Sequence, residues 1–179
     1  MQEALAGDRR SLDTLLRRNY PSVYALCRRM TGNDADAADA AQDALVAMVR
    51  GLSRFDGRSR FSTWAYRVTT NVCLDELRRR RRRPEPHDDA SLARTAPSPG
   101  IEGAVVDRVD IDAALRSLPP DFRAAVVLRD LCGLDYEEIG TVLGIPAGTV
   151  RSRISRGRAA VADRLGNPSL PDQRPRPRS

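Results

Sequence analysis

The chain has 179 residues, enough for one domain or two small ones, and its 41% hydrophobic content excludes wholesale disorder. A net charge of +6 and an isoelectric point near 10.0 favour an acidic polymer as partner. No apolar run reaches the roughly 20 residues of a membrane span and no signal-peptide segment opens the chain, so a cytoplasmic protein without direct membrane insertion is expected.

The charge is unevenly placed. Residues 1–83 sum to +7, 84–110 to −4, 111–166 to +1 and 167–179 to +2, and within the third block residues 151–166 alone carry +4. Basic character therefore gathers at the end of each half of the chain, which points to two separate anion-binding surfaces. Every basic residue is arginine, a bias that fits a GC-rich coding genome as well as any mechanism.

In chain order, Leu12, Leu15, Leu16, Val23, Leu26, Cys27 and Met30 recur at helical steps until Gly32 stops them, with Pro21 a candidate break between two helices. Asn33 then offers an N-cap, followed by Asp36 and Asp39 where the helix dipole favours negative charge. The next apolar stripe is Ala41, Leu45, Met48, Val49 and Leu52. A turn at Gly57 leads to a third helix, from about Ser62 into the arginine run Arg78–Arg83. The composition then changes: RPEPHDDASLARTAPSPG has four prolines and little periodicity, the signature of a flexible linker. Helices resume with Ile111, Leu115 and Leu118, a break at Pro119–Pro120, and then Phe122, Val126, Val127 and Leu131. The proline-rich tail NPSLPDQRPRPRS reads as disordered.

The most specific local pattern is YEEIGTVLGIPAGTVRSRISRGRAAVADRL, residues 136–165. A short helix with Ile139 and Val142 inward meets a Gly144–Ile145–Pro146 turn, and Pro146 suits the start of a new helix. In that helix Val150, Ile154, Gly157, Val161 and Leu165 share one side, while Arg151, Ser152, Ser155 and Arg156 occupy the other. This is a helix-turn-helix whose polar face suits a DNA major groove, with arginine able to read guanine or clamp phosphate.

The first half poses a different question. Four of eight aromatic residues, Phe55, Phe61, Trp64 and Tyr66, fall within twelve positions, just ahead of the arginine run. Exposed rings on a basic helix stack single-stranded bases, at roughly 1–3 kcal/mol per base. Arg67 and the run could follow a phosphate backbone, and Asn71, one turn beyond Arg67, offers a donor and an acceptor to a base edge. Core packing by Trp64, Ala65, Val68 and Val72 explains part of the cluster equally well.

Three blocks, DAADAAQDALVAMVRGLSRF, FSTWAYRVTTNVCLDELRRRRRR and SLPPDFRAAVVLRDLCGLDYEEIGTVLGIPAGTVRSRISRGRAAV, stand in the order and separation that resemble extracytoplasmic-function sigma factors of bacterial RNA polymerase. The resemblance implies an all-α fold of two small helical domains: sigma domain 2 at residues 5–83 and sigma domain 4 at 107–166, with linker 84–106 and tail 167–179. It implies that Gln42 and Asp43 meet the clamp helices of the polymerase β′ subunit, with the β flap as a further core contact. Phe55, Tyr66 and Asn71 match the pocket for a flipped minus-ten base, with Trp64 and Arg67 beside the melted strand. Arg151, Ser152, Ser155 and Arg156 match the minus-thirty-five surface. Promoter DNA and an anti-sigma factor are the other implied partners. Ser155 stands where relatives can carry a bulkier residue, and QDALVAMV lacks the aromatic many relatives place near its end.

The physical sense of the aromatic window follows. Extruding a base costs a few kcal/mol of stacking, and an aromatic cluster beside a basic helix can offset it. A free-standing helix-turn-helix regulator, the main alternative, leaves that cluster and the first basic surface unexplained; a single-strand RNA binder leaves the helix-turn-helix idle. An enzyme is not indicated: there is no phosphate-binding glycine loop, Cys27, Cys73 and Cys132 lack metal-ligand spacing, and the single histidine, His87, falls in the linker. No metal and no cofactor are expected.

Overall fold

The computed structural model describes residues 2–5, 7–82 and 111–166; the expected linker, the tail and His87 lie outside them. All regular elements among the described residues are helical: α1 (Gln2–Leu5), α2 (Arg9–Thr31), α3 (Asp34–Gly51) with a 3-10 turn (Leu52–Arg54), α4 (Phe61–Arg82), α5 (111–117), α6 (Pro120–Asp130), α7 (Tyr136–Leu143) and α8 (Ala147–Arg164).

Local chemistry sets the helix ends. The Asp8 carboxylate accepts the Ser11 amide at 2.8 Å to open α2, and hydrogen bonds from the Ser11 side chain and amide hold its carboxyl below the usual value. Gly32 closes α2 in the left-handed region at φ +88°, and Asn33 Oδ1 accepts the Asp36 amide at 2.8 Å to open α3. The expected break at Pro21 does not occur, and α2 runs unbroken for 23 residues. An interior proline costs about 3 kcal/mol. Each large side chain buried after it contributes roughly 1.5–3 kcal/mol, and Val23, Leu26 and Met30 are all buried, so packing outweighs the lost hydrogen bond.

Helices α2, α3 and α4 form one bundle and α6, α7 and α8 a second. The buried face of α3 is Ala37, Ala40, Ala41, Ala44 and Met48; its alanines let neighbouring helices approach closely, and Val49, expected in the stripe, stands 46% exposed. Leu165, expected in the α8 stripe, is also exposed.

The two bundles pack on one another, α6 against α2 and α4, and α7 against α4, so that one cluster of buried residues runs through both. At their junction Asp112 forms an ion pair with Arg28, Nη1 at 2.9 Å, and accepts a hydrogen bond from Arg29 Nη1. Gly32 serves here as well: a Cβ at this position would lie 2.1 Å from Arg116 Cδ.

Candidate nucleic-acid interface

Helix α7 opens with a reciprocal cap. Asp135 Oδ1 accepts the Glu138 amide at 2.8 Å, and Glu138 Oε2 accepts the Asp135 amide at 3.0 Å. Gly144 turns the chain at φ +66°, and Gly140 lets α7 approach the turn: a Cβ there would meet the Ile145 carbonyl at 2.8 Å. Along α8, Val150, Ile154 and Gly157 are buried against the rest of the bundle.

The opposite face presents Arg151, Ser155 and Arg156 to solvent. Ser152 is half-buried, its hydroxyl donating to the Thr149 carbonyl at 2.9 Å. The arginines of α8 divide by partner. Arg153 faces Asp121 at 3.7 Å, and Arg158 donates to Asp130, through Nε at 3.1 Å, which raises its pKa. Among the described residues, Arg151 and Arg156 have no carboxylate partner; Arg151 lies over the Tyr136 ring, 5.3 Å from its centroid. Arg164, in the last turn, is also exposed and without a carboxylate partner among the described residues; Arg151 and Arg156 share the exposed face in the first two-thirds of α8, where an acidic backbone or a guanine edge can be met.

The aromatic window separates into two groups. Phe55, Phe61 and Trp64 pack with centroids 5.3–5.8 Å apart, Phe55 edge-on to Phe61 at 83°. Phe61 and Trp64 are buried in the first bundle, with Phe55 half-buried at its rim. The expected contact of Trp64 with a melted strand is therefore closed to its ring in this conformation, because burial of so large an apolar surface holds it under Phe55. Tyr66 points away from this trio. It is half-buried against the second bundle, where burial first and the nearby Cys132 second raise its pKa, while a hydrogen bond with the Ser22 side chain opposes them. Arg67 and Asn71 are exposed, one turn apart on α4.

Arg78, Arg79 and Arg80 of the run are engaged within the protein. Arg78 meets Asp75 at 3.3 Å, Arg79 pairs with Glu76, and Arg80 joins Glu76 at 2.8 Å and both carboxylate oxygens of Asp36. Arg80 thus ties the end of α4 to the start of α3, and its hydrogen bonds hold the Asp36 carboxyl below the usual value.

On α3, Gln42 and Asp43 are exposed. Val46 and Val49 continue the Gln42 side of the helix, 43% and 46% exposed, and form an apolar strip, although Val49 belongs by periodicity to the expected core stripe. Its signal was available: at 100° per residue, Val49 falls close to Gln42 and Val46.

Among the described residues, no group of three or more His, Cys, Asp or Glu could hold a metal ion, and no helix is long and apolar enough to cross a membrane. Cys27 and Cys73 are free, buried, and 3.8 Å apart at their sulfurs.

Comparison with known proteins bears on both halves. Sigma-70 region 2 matches residues 15–83, and Sigma-70 region 4 matches residues 108–161. The chain is 43% identical over 167 residues to the ECF RNA polymerase sigma factor SigE of Mycolicibacterium smegmatis, an alignment covering 89% of this chain and 63% of that protein. It therefore spans less than two thirds of that relative. It is 32% identical over 178 residues to the ECF RNA polymerase sigma factor SigW of Bacillus subtilis, covering 92% and 94% of the two chains. Among solved structures, the sigma factor RpoE in its complex with the anti-sigma factor NepR, from Bartonella quintana, superposes with a TM-score of 0.72 at 26% identity. That superposition covers 87% of this chain and 97% of the other, and so takes in both bundles.

Proposed function

The chain belongs to the sigma-70 family, among the extracytoplasmic-function sigma factors of bacterial RNA polymerase, and on that premise we propose how its surfaces divide the work of promoter recognition. A sigma factor is a transcription initiation factor, not a catalyst, and directs core polymerase to promoters. A free-standing regulator is disfavoured because region 2 matches as well as the helix-turn-helix half.

The second domain, residues 107–166, reads the minus-thirty-five element through Arg151, Ser155 and Arg156. Ser152, whose hydroxyl is already committed to Thr149, contributes through close approach. The first domain, residues 5–83, receives the minus-ten element, with Phe55, Tyr66 and Asn71 around a flipped base and Arg67 on the backbone. Trp64 acts as the buried floor under Phe55, at a centroid distance of 5.5 Å. Gln42 and Asp43, with the apolar strip Val46–Val49 between helical turns, dock on the clamp helices of the β′ subunit, and the β flap meets the second domain.

Tyr66 is half-buried, with Ser22 of α2 and Cys132 just past α6 near it, so base capture at Tyr66 calls for this junction to open. The relative whose structure superposes across both bundles was solved with an anti-sigma factor, which supports an anti-sigma partner that holds the packed form. The work is done with polymerase in the cytoplasm.

The observation that carries this reading is the partition of charge on α8, with Arg153 and Arg158 paired and Arg151 and Arg156 left to an outside anion. Transcription from genomic DNA with purified core polymerase tests it: new start sites should appear only when this chain is added. Occupancy of symmetric operator sites by the chain alone, with no polymerase association, would overturn it.

A further inference from the structure

The contact between Tyr136 and Arg151 carries a consequence for base selection, and rests on the assignment of α8 as the reading helix. Tyr136 is the first residue of α7, directly after the Asp135 cap that fixes the backbone there. Its ring is half-buried against the core and so has a set orientation. Arg151, on the exposed face of α8, places its guanidinium over that ring at 5.3 Å. Arg129 from α6 lies over the same ring at 5.0 Å, and its Nη1 donates to the Leu134 carbonyl at 2.7 Å, so that this second guanidinium is tethered to the main chain.

We propose that Tyr136 is a positioning residue for Arg151, which holds the guanidinium in a reading pose before DNA arrives. A long exposed arginine samples many rotamers and loses that freedom when it engages a base edge. A ring face that attracts the cation narrows the set in advance, and because the contact is to a π face rather than to an acceptor atom it consumes none of the N–H donors, which stay available for a bidentate contact. The neighbouring Arg156 has no such ring contact among the described residues, so selectivity should be sharper at the base read by Arg151 than at the one met by Arg156.

The test uses holoenzyme assembled from core polymerase and the full chain, presented with a pool of duplexes randomised across the minus-thirty-five positions and sequenced before and after binding. Arg151→Ala first identifies the positions whose base preference depends on that arginine. At those positions Tyr136→Leu should lower the preference about two- to fivefold, the range an exposed cation–π contact supports. Tyr136→Phe, which keeps the ring and loses only the hydroxyl, should retain it, and Tyr136→Leu should add nothing once Arg151 is already alanine. If Tyr136→Leu does not fold, as judged by helix content, Tyr136→Met replaces it. Uniformly weaker binding of all duplexes with Tyr136→Leu, or the same loss with Tyr136→Phe, would overturn the proposal. If Arg151→Ala itself changes no base preference, the reading helix is misassigned and the proposal falls with it; if Arg151→Ala flattens a position and Tyr136→Leu does not, the positioning role alone falls.

Discussion

Arg123 of α6 reaches across the junction of the two bundles and donates from Nη1 to the main-chain carbonyl of Met30, in the last turn of α2. That carbonyl is one of the helix-terminal acceptors that lack a partner within their own helix, and a cation there also meets the negative end of the helix dipole. Nη2 of the same side chain donates to the carbonyls of Arg116 at 2.6 Å and Leu118 at 3.2 Å. One buried arginine thus closes the end of α2 and the α5–α6 connection together.

Arg123→Ala should therefore part the bundles. Each carbonyl left buried without a donor costs about 1–3 kcal/mol, and opening to water relieves that cost. Tyr66 supplies the readout. Its pKa, raised above 10.0 chiefly by burial, should fall back toward that value in the variant, as followed by its ultraviolet titration. An unchanged Tyr66 titration would refute the idea that Arg123 holds the two bundles together.

The Asp36–Arg80 pair sets an acid limb. The Asp36 carboxyl is depressed in the folded chain by its hydrogen bonds with Arg80, so its contribution is complete above the unfolded value near 3.9 and is lost as pH falls through the lower folded value. Both side chains are partly exposed, which limits the pair to about 0.5–1 kcal/mol. Arg80→Ala should lower stability by about that amount at pH 7 and make the loss below pH ~4 shallower; urea midpoints across the pH range measure it.

Gly157 is where α8 meets α6. A Cβ there would lie 2.6 Å from Val126 Cγ2 and 3.6 Å from the Phe122 carbonyl. Gly157→Ala gains helix propensity of up to about 1 kcal/mol but forces the helices apart, an overpacking cost of about 1–3 kcal/mol. A net fall in melting temperature is expected, with duplex binding weakened in parallel.

On the recognition face, Arg151→Ala or Arg156→Ala should weaken minus-thirty-five duplex binding by about 1–3 kcal/mol if the arginine reads a base, and less, uniformly across sequences, if it contacts phosphate. Fluorescence anisotropy of the holoenzyme on short duplexes separates the two. No change in either variant removes the proposed reading face.

Asn71→Ala should impair promoter opening, seen by permanganate reactivity of unpaired thymines, while core polymerase binding persists. Asp43→Arg should do the reverse, reducing competition for core polymerase through charge reversal on the exposed α3 face. Collapse of folding in Asn71→Ala would mark that residue as structural.

The helix-turn-helix was almost fully legible, because its signals are local. Asp135 and Glu138 cap within one turn, Gly144 takes the left-handed turn, and Val150, Ile154 and Gly157 fall on one side by helical period alone. Pro21 was misread for the complementary reason. A local rule says break, and only the tertiary burial of Val23, Leu26 and Met30 overrules it. Val49 failed similarly, since periodicity finds an apolar residue but not whether a neighbour covers it.

From sequence alone came the helical class, the two basic regions, the exposed polar face of α8 and the family, each carried by spacing and residue type within local stretches. Tertiary structure decided which members of the aromatic window are core and which are rim, which arginines are already paired, and that Tyr66 is half-buried near Cys132. Those outcomes depend on contacts between residues dozens of positions apart, such as Arg29 with Asp112 or Arg80 with Asp36, and no local pattern encodes a distance that only the closed chain creates.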